Sequence, residues 1–146
     1  MDTVDQILRE KGSKVLKATP GETVVEAVER MCAEKVGALL VCESGNPVGM
    51  FTERDLMTRV ILGRLNPATT TVGEVMSQEV VYVEPTTVAA EAMAVMTERR
   101  CRHLPVASGG RILGIVSIGD LVRWASRNQE FEIRKLTEYI CGKYPG

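Results

Sequence analysis

The chain has 146 residues, enough for one compact domain or two small halves sharing a core. Hydrophobic residues make up 45% and charged residues 25%, the balance of a globular protein, while a net charge of −1 and 4% aromatics supply neither the basic surface nor the stacking platforms of a nucleic-acid binder. No apolar run approaches the roughly 18 residues of a membrane span, and the acidic start Met1-Asp2-Thr3-Val4-Asp5-Gln6 is unlike a secretory signal, so a cytoplasmic protein without membrane or nucleic-acid partners is expected.

In chain order, Thr3-Val4-Asp5-Gln6 fits the capping box S/T-x-x-E/Q and predicts a short lead-in helix. A brief strand at Val15-Leu16 follows, closed by Pro20, which has no N–H for a sheet ladder. Val24, Ala27, Val28 and Met31 fall on one face of a helix. Strands are predicted at 38–42 and 47–52, joined by the turn Glu43-Ser44-Gly45-Asn46, and a second helix begins after Thr52. Residues 64–70 read as a linker, and Thr71-Val72-Gly73-Glu74 as a second capping box. The same order then recurs. Val80-Val81-Tyr82-Val83 is a strand stopped by Pro85, and Val88, Ala92, Met93 and Met96 mark a helix. Strands at 104–107 and 112–117 flank the turn Ser108-Gly109-Gly110-Arg111, and a helix starts after Ser117. Ile133, Leu136 and Ile140 predict a helical tail over 132–141, with Gly142 and Pro145 as stops.

The recurrence is a duplication. Shifted by 65 residues, 15–59 lies on 80–124 without a gap, and eleven of the 45 positions are identical, among them Pro20/Pro85, Gly49/Gly114 and Asp55/Asp120. Ordinary composition would give about three. The expected fold is mixed α/β (α+β): two β-α-β-β-α repeats packed sheet to sheet as a pseudo-twofold pair, since one unit of this size buries too little surface alone. The domains expected are residues 1–66, a repeat with its lead-in helix, and 67–146, a repeat with its helical tail.

The stretch Gly49-Met50-Phe51-Thr52-Glu53-Arg54-Asp55-Leu56, repeated as Gly114-Ile115-Val116-Ser117-Ile118-Gly119-Asp120-Leu121, resembles the signature of CBS domains, named after cystathionine β-synthase. Arg102-His103-Leu104-Pro105-Val106 is similar to a strand of the same family, and the resemblance covers about residues 3–128. It implies a regulatory module with no catalytic residues, homodimeric, that binds an adenosine-containing nucleotide (AMP, ADP, ATP or NAD(H)) in clefts between repeats and signals to a protein partner not identifiable from the chain. The nucleotide would be a regulatory ligand, with no cofactor required.

In each Thr/Ser-x-x-Asp element the hydroxyl sits at a strand–helix junction, where unpaired amides and the helix dipole favour a phosphate. Three residues later a carboxylate can accept both hydroxyls of a ribose. With the family resemblance this assigns Asp55 and Asp120 to ribose, and Thr52, Arg54 and Ser117 to phosphate. The same pattern is also an N-cap that needs no ligand. The family's basic pair adds Arg102 and His103 to the phosphate contacts, although a solvated basic patch reads equally well. The resemblance further places adenine against Lys17, Ala18, Met50 and Phe51 in one cleft and Tyr82, Val83, Ile115 and Val116 in the other; strand alternation must turn about half of these inward.

No catalytic constellation stands out. His103 is the only histidine, and neither a P-loop nor G-x-G-x-x-G occurs. Cys32, Cys42, Cys101 and Cys141 form no C-x-x-C pair, so buried free thiols are expected and no metal site. Two alternatives stay open: a constitutive dimerisation scaffold without ligand, and a thiol- or metal-responsive regulator using Cys101 and His103.

Overall fold

In the computed structural model, which describes residues 2–12 and 14–127, the duplication appears as two matched sets of elements. Helix α1 (Val4–Lys11) comes first. Strand β1 (Lys17–Ala18), helix α2 (Val24–Glu34) and strands β2 (Ala38–Glu43) and β3 (Asn46–Thr52) follow. Helix α3 (Glu53–Asp55) passes into wider π-helical turns over Leu56–Ile61, and the short α4 (Val72–Val75) comes next. Helix α5 (Ala89–Arg99), strands β4 (His103–Ser108) and β5 (Arg111–Ser117) and helix α6 (Ile118–Ala125) repeat the order. The expected tail over 132–141, with Cys141, lies outside the described residues. No described helix is long and apolar enough to cross a membrane.

Two compact units emerge, and only one of them is a continuous stretch of chain. One is Lys14–Tyr82; the other joins the described residues of Met1–Ser13 to those of Val83–Gly146. Each lead-in helix therefore packs with the repeat it does not precede. Val72 and Gly73 donate their N–H groups to Glu22 and Pro20 carbonyls (2.8 and 2.9 Å). Val4 and Asp5 donate to Thr87 and Pro85 carbonyls (2.9 and 3.0 Å), the acceptors 65 residues on. A cut at 66/67 separates the repeats in sequence, whereas the compact units exchange the segments before them.

In the unit Lys14–Tyr82, β1 pairs parallel with β2 and β2 antiparallel with β3. Helix α2 starts because Thr23 and Glu26 form a reciprocal capping box, and it buries Val24, Ala27 and Met31 against Leu39, Val41 and Phe51 of the sheet. It stops at Lys35, which adopts a left-handed conformation (φ 57°), as Arg100 does after α5 (φ 55°). The β2–β3 hairpin turns through Ser44 and Gly45, both with positive φ, and the β4–β5 hairpin through Gly109 and Gly110. That is the geometry of two-residue turns whose twist matches the strands.

Two expectations need correcting. The strand expected at Val15-Leu16 forms over Lys17–Ala18 instead. The strand predicted at Val80–Val83 reduces to one parallel bridge, Val83 to Val106. In the first repeat Leu40 N–H donates to Leu16 carbonyl at 3.0 Å. The residue 65 positions on is Pro105, which has no N–H to give to Val81, so the ladder cannot extend.

Candidate functional site

Both Thr/Ser-x-x-Asp elements sit where a strand hands over to a helix, and each carboxylate is buried: Asp55 is 4% exposed and Asp120 7%. Thr52 ends β3 as the N-cap of α3. Its hydroxyl accepts the Asp55 N–H (3.2 Å), while Asp55 Oδ2 accepts the Thr52 N–H (3.0 Å) and hydroxyl (3.1 Å). The other oxygen, Oδ1, accepts the Ser77 hydroxyl at 2.8 Å and lies 3.6 Å from Arg59 Nε. A cavity of about 450 Å³ adjoins this turn, with Arg59, Glu74, Ser77, Gln78 and Glu79 in its wall.

The other unit builds the same turn with different partners. Ser117 Oγ accepts the Asp120 N–H (3.1 Å), and Asp120 Oδ2 accepts the Ser117 N–H (2.8 Å). Oδ2 also receives the ammonium of Lys11, from the last turn of α1, at 2.6 Å, while Arg123 Nη2 reaches Oδ1 at 2.7 Å. Burial alone would raise the Asp120 pKa. The Lys11 hydrogen bond and charge, with the Ser117 bonds, outweigh it and hold the carboxyl below its ordinary value.

The amides at these helix starts are less available to a phosphate than expected. Glu53 N–H donates to the Gly37 carbonyl (3.0 Å) and Ile118 N–H to the Arg102 carbonyl (2.9 Å), while the Asp55 and Asp120 amides are capped by the hydroxyls. The β2–β3 and β4–β5 ladders bring those carbonyls within reach. Arg54 is exposed. Arg102 is exposed and His103 half-buried at the start of β4, where His103 pairs in register with Ser117. Arg102, His103, Ser117 and Asp120 thus gather at one end of β4–β5.

The expected adenine slot is narrower than the sequence implied. Ala18 (2%), Phe51 (0%) and Val116 (0%) point into the core, the inward half of the strand alternation, and offer a ligand no surface. Met50 (6%) and Val83 (7%) are nearly covered. Lys17 and Tyr82 are exposed and Ile115 is half-buried. The thiols also depart from expectation: Cys32 is exposed on the outer face of α2, and Cys42 and Cys101 are half-buried, all free. Burial pushes the Cys101 thiol pKa up.

Four partners of the aspartates went unread in the sequence. Arg59 and Arg123 stand four and three residues after their aspartates, a helical spacing that could have revealed them. Ser77 and Lys11 come from the exchanged lead-ins, and no local pattern announces them.

The CBS domain family model matches residues 4–62 and 72–127. The chain is 35% identical over 151 residues to the mitochondrial CBS domain-containing protein CBSX3 of Arabidopsis thaliana, covering 97% of this chain and 73% of that protein. It is also 35% identical to Arabidopsis CBSCBSPB5 but spans only 22% of that protein's length. Among solved structures, a protein with CBS domains from Burkholderia ambifaria is 41% identical with a TM-score of 0.84, over 87% of this chain and 96% of that one. The CBS domain pair of MJ0100, solved with 5′-methylthioadenosine and S-adenosyl-L-methionine, shares the fold at 19% identity (TM-score 0.77, over 88% of this chain and 98% of that one).

Proposed function

The chain belongs to the CBS-domain family of regulatory modules, and from that premise we propose that it binds an adenosine-containing nucleotide (AMP, ADP, ATP or NAD(H)) and reports its presence to a protein partner, without catalysing a reaction. The observation that carries this reading is the pair of carboxylates, Asp55 and Asp120, each held by its own backbone turn while a side chain from outside that turn fills part of its acceptor capacity. An ionised carboxylate accepts about four hydrogen bonds. A ribose diol takes the place of the Ser77 hydroxyl at one turn and of a cation at the other. Thr52 and Arg54, and Ser117, Arg102 and His103, then face the phosphate, and Lys17, Met50, Tyr82 and Ile115 offer surface to adenine. Adenosine-type ligands in the MJ0100 pair support the choice of ligand class.

Signalling follows if the ligand binds two arrangements of the module with different affinity. A homodimer is part of the proposal: Met57, Ile61, Leu62 and Leu65 expose 58%, 59%, 75% and 43% of their surface on and just after the π-helical turns.

Thermal melting with AMP, ATP, NADH and S-adenosylmethionine tests the reading. At a hundredfold excess over Kd one of them should stabilise the protein by about 2.7 kcal/mol, and Asp55→Asn and Asp120→Asn should each diminish the shift. An undiminished shift in both variants sinks the assignment.

A further inference from the structure

The two acidic turns differ in what a ligand must displace. At Asp120 the Oδ2 oxygen already holds the Ser117 N–H (2.8 Å) and the Lys11 ammonium (2.6 Å), and Oδ1 holds Arg123 (2.7 Å). A diol bound across both oxygens needs a place on Oδ2. The Ser117 amide is fixed by the strand–helix junction, whereas Lys11 sits on a flexible stem with its side chain 37% exposed, so Lys11 is the group that yields. It also holds the Ile115 carbonyl at 2.9 Å, beside the proposed adenine surface. At Asp55 the group that yields is the neutral Ser77 hydroxyl, which water can satisfy; the Arg59 guanidinium, 3.6 Å from the same oxygen and beyond hydrogen-bond distance, need not leave.

We infer that Lys11 makes the Asp120 site selective for phosphorylated nucleosides over the uncharged nucleoside, and that the Asp55 site has no such filter. This rests on Asp120 being the acceptor of a ribose diol. Adenosine takes the carboxylate from Lys11 and returns only neutral partners, which bind an ammonium more weakly than an anion does. A nucleotide brings its own phosphate, which the displaced ammonium can follow. Removing Lys11 therefore removes a competitor that the phosphate alone compensates, and the gain goes mainly to adenosine.

The experiment is calorimetric titration of adenosine and AMP into Asp55→Asn, where only the Asp120 site remains, and into the same protein carrying Lys11→Met. AMP should bind the first at least about tenfold more tightly than adenosine, a difference of about 1.4 kcal/mol. In the second the ratio should fall about tenfold, chiefly through tighter adenosine, and Lys11→Arg should retain it. Lys11→Met alone, in otherwise unaltered protein, should raise the adenosine stoichiometry from one equivalent to two, which keeps the test alive if Asp55→Asn folds poorly. Binding that Asp120→Asn abolishes, with an AMP-to-adenosine ratio that Lys11→Met leaves unchanged, overturns the inference and leaves Asp120 as the ribose acceptor. Binding of neither ligand at a site sensitive to Asp120 overturns both.

Discussion

Ser77 donates its hydroxyl to Asp55 Oδ1 at 2.8 Å, and the neighbouring backbone ties the same segment to β3: Met50 and Ser77 exchange both N–H···O bonds, at 2.9 and 2.8 Å. A carboxylate only 4% exposed depends on each of its donors. Hydrogen bonds to charged groups contribute about 1.5–3 kcal/mol, so Ser77→Ala should lower unfolding stability by about 1.5 kcal/mol, read as a shifted urea midpoint. Ser77→Thr keeps a hydroxyl and should recover part of the loss. An unmoved midpoint in Ser77→Ala would mean that Arg59 or water replaces the bond at no cost.

Gly49 and Gly114 are identical partners in the duplication, yet their surroundings differ. A Cβ at Gly49 would lie 2.6 Å from the Ser77 carbonyl oxygen and 2.8 Å from Met76 Sδ. At Gly114 the nearest atom would be Leu8 Cδ2, at 2.8 Å. A leucine methyl can rotate away, but the Ser77 carbonyl belongs to the bridge with Met50. Gly49→Ala should therefore cost about 2–3 kcal/mol, and Gly114→Ala about 1 kcal/mol. Denaturant titration of the two variants checks the order, and equal losses would contradict it.

These contrasts bear on what could be read from the chain alone. The repeats were legible because Pro20/Pro85, Gly49/Gly114 and Asp55/Asp120 recur at one spacing and each solves a local problem: a strand end, a close approach, a helix start. The hairpins were legible for the same reason, since Gly45 and Gly110 answer a demand for positive φ within two residues. The exchange of lead-ins was not. Thr3-x-x-Gln6 and Thr71-x-x-Glu74 announce helices, but nothing near them says that α1 docks where Thr87 and Pro85 offer carbonyls. The acidic turns were found from their spacing, and Lys11 and Ser77 were missed because they approach from those exchanged segments. Pro105 was visible all along; its consequence, the shortened strand at Val83, needed the register of β4.

Asp120 gives the module an acid-sensitive component. Its folded pKa lies below the ordinary carboxylate value, because the Lys11 and Ser117 interactions outweigh the burial that would raise it. Such a group stabilises the fold fully above the unfolded pKa of about 3.9, and that contribution is lost as pH falls through the lower folded value. Asp120→Asn should thus be less stable than the unaltered protein at pH 7, by about 1–3 kcal/mol, and the gap should narrow below about pH 4. Glu22, lowered as well despite burial by Arg30 and Thr19, follows the same course in both proteins and cancels in the comparison. Urea unfolding at stepped pH is the measurement, and a gap that does not change down to pH 3 would exclude the contribution.

The last contrast offers a gain. Thr23 caps α2, accepting the Glu26 N–H at 3.2 Å while Glu26 Oε1 accepts the Thr23 N–H at 3.3 Å. The residue 65 positions on is Val88, the N-cap of α5, with the same extended backbone (φ −76°, ψ 151°, against −77°, 156°) and no side chain able to accept. Glu91 stands in the place of Glu26. Val88→Thr should complete a capping box that the backbone is already shaped for. A hydroxyl N-cap is worth about 1 kcal/mol, and losing one half-buried methyl offsets part of this, so a net gain of about 0.5 kcal/mol is expected. For an independently unfolding unit of 60–100 residues that is a rise in Tm of about 2–4 °C. Thr23→Ala should move Tm the other way by about twice as much. If Val88→Thr lowers Tm, the valine's packing outweighs the cap.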